Sequence, residues 1–278
     1  MKFTSNTLII VLCFLAFKAY SQENIKAIEK TPVIIGESVT FHSKILNQDR
    51  TLNIYLPQGY SADSTKIYPV IYLLDGSVDE DFIHISGLVQ FGSFSWINMI
   101  SETIVVGISN IDRKRDFTFP TTIERDKKDF PTTGESEKFI NFIENELQPY
   151  IESQYIVNDI KTIIGQSLGG LLVTEILFKK PDLFDNYIII SPSLWWDNQS
   201  LLKLEPKSYS SEKKIYIGVG KEGKIMEEDA KQLYEKLNSD KKENTEVHFG
   251  FFEKLDHGDT LHLAVYAAFD TLFRVKKD

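Results

Sequence analysis

Thiols are almost missing from this chain: its 278 residues include a single cysteine, Cys13. A disulfide within the chain needs two, so none can form. A cysteine nucleophile or thiolate-ligated metal beyond residue 13 is excluded as well. There is no excess of cations either. Lys and Arg number 31 against 40 Asp and Glu, for a formal charge of −9. Such a surface repels phosphate backbones and anionic lipid, which argues against nucleic acid and membrane surfaces as partners. No run of five like charges occurs, so the acidity is spread as solvated surface. Long apolar runs are lacking too. The stretch 8–17 spans about ten residues, whereas a bilayer crossing needs about 20. The glycine-rich stretch 165–170 lacks the GxGxxG spacing of a dinucleotide fingerprint, no phosphate loop is read, and no cofactor is expected.

What remains reads as one globular domain behind a short leader. Lys2 supplies a positive start, and Ala19-Tyr20-Ser21 places small residues at the −3 and −1 positions of a cleavage site before Gln22. Residues 1–21 therefore read as a secretory signal peptide and 22–278 as the mature domain. The expected location is secreted or periplasmic, without membrane insertion once the signal is removed. Cys13 falls inside the signal, and Val11 and Leu12 ahead of it do not suit a lipid anchor. With 42% hydrophobic residues, 19 Phe and 12 Tyr, the mature chain can rely on its core for stability.

Periodicity orders the elements. Residues 39–45 and 50–56 alternate polar with apolar around Asn47-Gln48-Asp49, as an antiparallel hairpin does. The continuous apolar runs 68–74, 103–108, 161–164 and 187–191 read as strands buried on both faces, and 214–219 and 246–252 complete the set. Helical spacing appears over 135–152, with Pro149 expected to kink its end, and over 168–180, apolar along one face and stopped by Pro181. It returns around Met226, Ala230, Leu233 and Leu237, and over 260–275. Strands alternating with helices after a leading hairpin predict an α/β fold: a mostly parallel central sheet with helices on both faces. Its ligands belong at the carboxyl ends of the strands. The stretch 112–133 is charged, holds Pro120 and Pro131, and reads as a loop or lid without structure of its own. Phe82, Phe91 and Trp96 read as core.

The chemistry-bearing signal is Gly165-Gln166-Ser167-Leu168-Gly169, a GxSxG pentapeptide between an apolar strand and a helix. That setting is the one a nucleophile elbow requires. A sharp strand-to-helix turn strains Ser167 and exposes its hydroxyl, Gly165 and Gly169 avoid collision across the turn, and Gly170 lets the helix approach the sheet. A hydroxyl needs a base. Of the five histidines, His42 and His248 lie in strand patterns, His84 on a helix and His262 inside the closing helix. His257 sits in the turn after the last strand, and the chain order Ser, acid, His selects it. The acid is expected after the preceding strand, at Glu222, although Glu227, Glu228 and Asp229 crowd the same helix start. An oxyanion would be held by the amide of Leu168 and that of Gly76 or Ser77, in the loop after the third strand. A metal reading of Asp256-His257-Gly258-Asp259 with His262 is set aside, because two histidines five apart do not share a helix face.

These residues carry a resemblance. YLLDG at 72–76, VVGISNIDRKRD at 105–116, GQSLGG at 165–170, SPSLWWD at 191–197 and Asp256-His257-Gly258 are similar to motifs of the putative-esterase branch of the α/β-hydrolases. YLLDG and SPSLWW most resemble its siderophore-esterase-like subgroup. The resemblance implies an α/β-hydrolase fold and a serine esterase with Ser167 as nucleophile and His257 as base. Glu222 stands where the family's acid falls, although some siderophore esterases work with a Ser-His dyad. The expected partner is a small-molecule or carbohydrate ester, either a siderophore trilactone or a carbohydrate acyl ester. Trp195 and Trp196 follow the sixth strand and are candidates to stack a ring; a core pair is the alternative. Arg113 and Arg115 are candidates to hold an anionic group, with ion pairing to Asp112 or Asp116 as the alternative. An acyltransferase with the same triad and a non-catalytic binding module on the same fold remain as rivals. The oligomeric state is not legible in the sequence.

Overall fold

The computed structural model describes residues 27–239, 241 and 243–274, so the expected signal peptide lies outside the described residues. The chain divides into 1–34 and 35–278. Residues 27–34 hold no helix or strand, and every element named below belongs to the second unit.

Eight strands form one sheet in the order β1-β2-β4-β3-β5-β6-β7-β8. The hairpin of β1 (Gly36–Ser43) and β2 (Gln48–Tyr55) pairs antiparallel, and β2 lies antiparallel on β4 (Ile104–Ile108). From β3 (Tyr68–Leu73) through β5 (Val157–Gln166), β6 (Asn186–Ile190), β7 (Lys213–Gly220) and β8 (Thr245–Phe252) every pairing is parallel. This is the predicted α/β architecture. The central strands β4 and β6 are buried throughout, because helices cover both faces.

On one face lie α1 (Phe82–Gly92) and the closing α9 (Thr260–Leu272), which bury Ile85, Val89, Val265 and Phe269 against Ile71, Ile164 and Ile188. The other face carries α2 (Arg113–Phe117), α4 (Ser136–Phe142), α5 (Gln148–Gln154), α6 (Leu168–Lys179), the short α7 (Trp196–Gln199) and α8 (Lys224–Ser239), while α3 (Glu124–Asp129) buries no residue. Between α4 and α5 runs a π-helical turn, Ile143–Leu147. It lies just ahead of Pro149, whose nitrogen cannot donate a backbone hydrogen bond.

Three expectations need correction. The stretch 112–133 is not structureless: it contains α2 and α3. Asp112 caps α2 by accepting from the Arg115 amide at 3.0 Å, and Asp197 takes hydrogen bonds from the Thr122 amide and hydroxyl at 2.6 and 2.8 Å. Helix α6 is buried all round from Leu168 to Phe178, not along one face, since it lies between the sheet and α2. Phe82 is core at 4% exposure, but Phe91 and Trp96 stand 41% and 69% exposed. They lie near the end of α1 and just beyond it, where they stack on Tyr266 and Phe94.

Candidate active site

The elbow forms as the sequence requires. Ser167 leaves β5 with φ 59° and ψ −119°, a region that costs a non-glycine residue about 1–3 kcal/mol. Its amide donates to the Ile190 carbonyl at 3.1 Å, which holds that conformation. A β-carbon on Gly165 would stand 2.6 Å from the Gly169 carbonyl, and one on Gly170 would stand 2.9 Å from the Ile190 oxygen. Neither position tolerates a side chain, so the helix start can press against the strand ends. Ser167 lines a cleft of about 470 Å³ with Asp112, Arg113, Lys114, Phe130, Ser193 and Trp195.

The candidate base and acid meet on loops tied to the elbow. His257 Nδ1 lies 2.5 Å from Glu222 Oε2, and Glu222 is almost wholly buried while His257 is half exposed. Glu222 Oε1 also accepts from the Ser191 hydroxyl at 2.5 Å and the Gly220 amide at 2.8 Å. Burial alone would raise the Glu222 carboxyl, but the hydrogen bonds from His257, Ser191 and Gly220 outweigh it and hold its pKa below the usual value. The carboxylate is thus fixed in its charged form. Gln166 Nε2 donates to the His257 carbonyl at 2.7 Å and ties the histidine loop to the elbow. His257 Nε2 has no hydrogen bond among the described residues, and Ser167 Oγ lies 3.3 Å from Ser193 Oγ.

The oxyanion candidates separate. Leu168 opens α6, so its amide is one of the four that a helix leaves without an intrahelical partner. The Gly76 amide donates to the Ile108 carbonyl at 3.0 Å and extends the β3–β4 pairing, so it is spent. Ser77 is the one that remains, its amide held loosely by Glu80 at 3.3 Å. The loop carrying it is fixed by Asp75, which takes Arg113 Nε and Nη2 at 2.6 and 2.9 Å and Asn110 at 2.6 Å.

Arg113 is therefore a clamp as well as a cleft residue, and its partner is Asp75, not Asp112 or Asp116. Arg115 does not reach the site. It pairs with Asp116 at 2.8 Å and reaches Gln48, because residues two apart on a helix point in nearly opposite directions. Trp195 lines the cleft, whereas Trp196 is fully buried and donates to the Phe119 carbonyl at 2.9 Å. Sequence reading missed Lys114, whose ammonium lies 4.9 Å over the Phe130 ring on the cleft wall. A second cleft of about 660 Å³ opens on the other side of Phe130 and Trp195, lined by Glu222, Lys224, Ile225 and Met226. A cavity of about 250 Å³ at the opposite end of the strands has only Lys214 as a charged residue, and that ammonium caps the Leu272 carbonyl.

One glycine pattern was overlooked in the sequence. Residues 218–223 read Gly-Val-Gly-Lys-Glu-Gly, GxGxxG between β7 and α8, contrary to the expectation of no such fingerprint. Here the turn serves the acid. The Gly220 amide is taken by Glu222 and the Gly223 amide by Glu227 at 3.0 Å, so two carboxylates sit where a phosphate would.

A family model described as Putative esterase matches residues 43–259. The chain belongs to this family. The ferri-bacillibactin esterase BesA of Bacillus subtilis is 33% identical over 214 residues, 69% of this chain and 74% of BesA. Among solved structures, the BES protein of Bacillus cereus superposes with a TM-score of 0.78 at 28% identity, covering 91% of this chain and 100% of that one. An IroE-like serine hydrolase from Shewanella oneidensis gives 0.77 at 29% identity, over 86% and 80%. This esterase is accordingly an ester hydrolase with the α/β-hydrolase fold. Among its described residues no helix is long and apolar enough to cross a membrane.

Proposed function

We propose that this esterase is a secreted serine hydrolase acting on a siderophore ester. The observation that carries the mechanism is a strained Ser167 whose neighbour Gln166 hydrogen-bonds the His257 backbone, that histidine being locked to a buried carboxylate. Ser167 Oγ attacks the ester carbonyl carbon while His257 Nε2 takes its proton. Glu222 holds the imidazole in the tautomer with a free Nε2 and stabilises the cation that forms. The amides of Leu168 and Ser77 receive the oxyanion, Glu80 yielding the second. Collapse breaks the bond to the alcohol oxygen, which leaves with the proton from His257. Water then repeats the sequence on the acyl-enzyme and releases the acid.

The substrate class rests on the cleft and the relatives. Lys114 and the Asp75-paired Arg113 stand beside Asp112, and Phe130 and Trp195 offer ring faces, which suits an aromatic acyl group. BesA is named for a ferric siderophore ester. The signal-like residues 1–21 support export, and the amino terminus of the exported protein is expected at Gln22.

Hydrolysis of p-nitrophenyl butyrate by the parent and by Ser167→Ala tests the mechanism. The variant is expected to lose at least about 10³-fold in kcat. Equal rates would sink it. A panel of catecholate trilactone, feruloyl and acetyl-sugar esters tests the substrate, with the trilactone expected to give the highest kcat/KM.

A further inference from the structure

The turn between β6 and α7 grips the nucleophile from three directions. The Ile190 carbonyl takes the Ser167 amide at 3.1 Å, the Ser193 amide donates to the Ser167 carbonyl at 3.0 Å, and Ser193 Oγ lies 3.3 Å from Ser167 Oγ. The same turn holds the acid, through Ser191 Oγ and Glu222 Oε1. It cannot slide, because Pro192 closes against Gly170, where an added β-carbon would come within 3.0 Å of Pro192 Cα. Ser191 is itself held at φ 44°, in the left-handed region that a serine seldom occupies.

Ser193 has no structural need of its hydroxyl. The residue is 2% exposed, and Ser167 Oγ is its hydroxyl's sole partner among the described residues. A buried hydroxyl costs free energy unless it is hydrogen-bonded, so an alanine would serve a purely packing role better. We propose that Ser193 is a further catalytic residue, whose hydroxyl donates a hydrogen bond to Ser167 Oγ. Each hydroxyl has one proton. If Ser193 gives its own to Ser167, the Ser167 proton is left to turn toward His257 Nε2. Negative charge gathers on Ser167 Oγ as that proton departs, and again when the acyl-enzyme ester breaks. A donor aimed at this atom therefore binds both transition states more tightly than the resting state. The inference rests on the serine reading above.

The test uses the full chain, p-nitrophenyl butyrate and a fluorophosphonate that labels Ser167. Ser193→Ala is expected to lose about 3- to 10-fold in kcat, the worth of one neutral hydrogen bond. KM should stay unchanged, and labelling should slow by a similar factor. Ser193→Thr keeps the hydroxyl and is expected nearer the parent than the alanine variant. Parent-like kcat and labelling in Ser193→Ala, a loss confined to KM, or a threonine variant slower than the alanine one each overturn the role. Activity surviving Ser167→Ala would overturn the serine reading and this inference with it. Activity abolished in Ser167→Ala but unchanged in Ser193→Ala overturns the inference alone.

Discussion

Glu222 shows how one side chain is prepared for its task. Hydrogen bonds from His257, Ser191 and Gly220 hold it charged in spite of burial, so its folded pKa lies below that of an unfolded glutamate. The sign follows from linkage. A depressed carboxyl contributes stability that is full above the unfolded pKa and is lost as pH falls through the folded one. The thermal midpoint of the parent should therefore exceed that of Glu222→Gln at pH 7, and the gap should narrow below about pH 4. The same variant is expected to lose about 10²-fold or more in kcat, because the imidazole tautomer is no longer enforced. Ser167, His257 and Glu222 could be picked out as candidates because strand order puts each on a loop at the carboxyl ends of the strands. Orientation was not legible. Arg113 and Arg115 look equivalent in sequence, but only Arg113 lines the cleft. Trp195 and Trp196 part in the same way at consecutive positions of one turn.

Among the elements, the start of α1 is a costly one. Asp81 precedes it, and burial, with Asp75 and Glu80 nearby, pushes its carboxyl up to about 6. A carboxylate at a helix amino end is normally favourable, but here the opposing effects win. A raised acid pKa penalises the fold progressively as pH climbs from the unfolded value to the folded one. Asp81→Asn should therefore melt higher than the parent at pH 7.5 and converge with it below pH 4, as calorimetry would show. At the elbow, Gly165→Ala should cost about 2–3 kcal/mol by denaturant melt, since its methyl meets the Gly169 carbonyl. The strands and long helices were legible from their periodicity. Helices α2 and α3, with five and six residues, are too short to show any, and the link between them depends on Asp197 far along the chain.

Across the whole molecule, a buried ion pair ties the antiparallel hairpin to the segment over the site. Arg50 is fully buried on β2, its guanidinium near the rings of Phe139 and Phe142, and pairs with Asp116 of α2 at 2.8 Å. Arg50→Met would leave Asp116 with Arg115 as its remaining partner and should cost about 1.5–3 kcal/mol by urea denaturation. Arg50 gave no sign of this in the sequence, because the pairing spans 66 positions and only the fold brings the two together.

The strand order assigns each part of the site to a different strand end: Ser77 after β3, Lys114 after β4, Ser167 after β5, Ser193 after β6, Glu222 after β7 and His257 after β8. His257 thus hangs from the sheet's edge, after a strand hydrogen-bonded along one side only. Edge strands open before central ones do, in local excursions well below the free energy of global unfolding. Each such excursion of β8 would carry the imidazole away while the elbow, on its doubly flanked strand, keeps its shape. Hydrogen exchange should therefore be faster in β8 than in β6, and activity should fade at urea concentrations where the core is still intact.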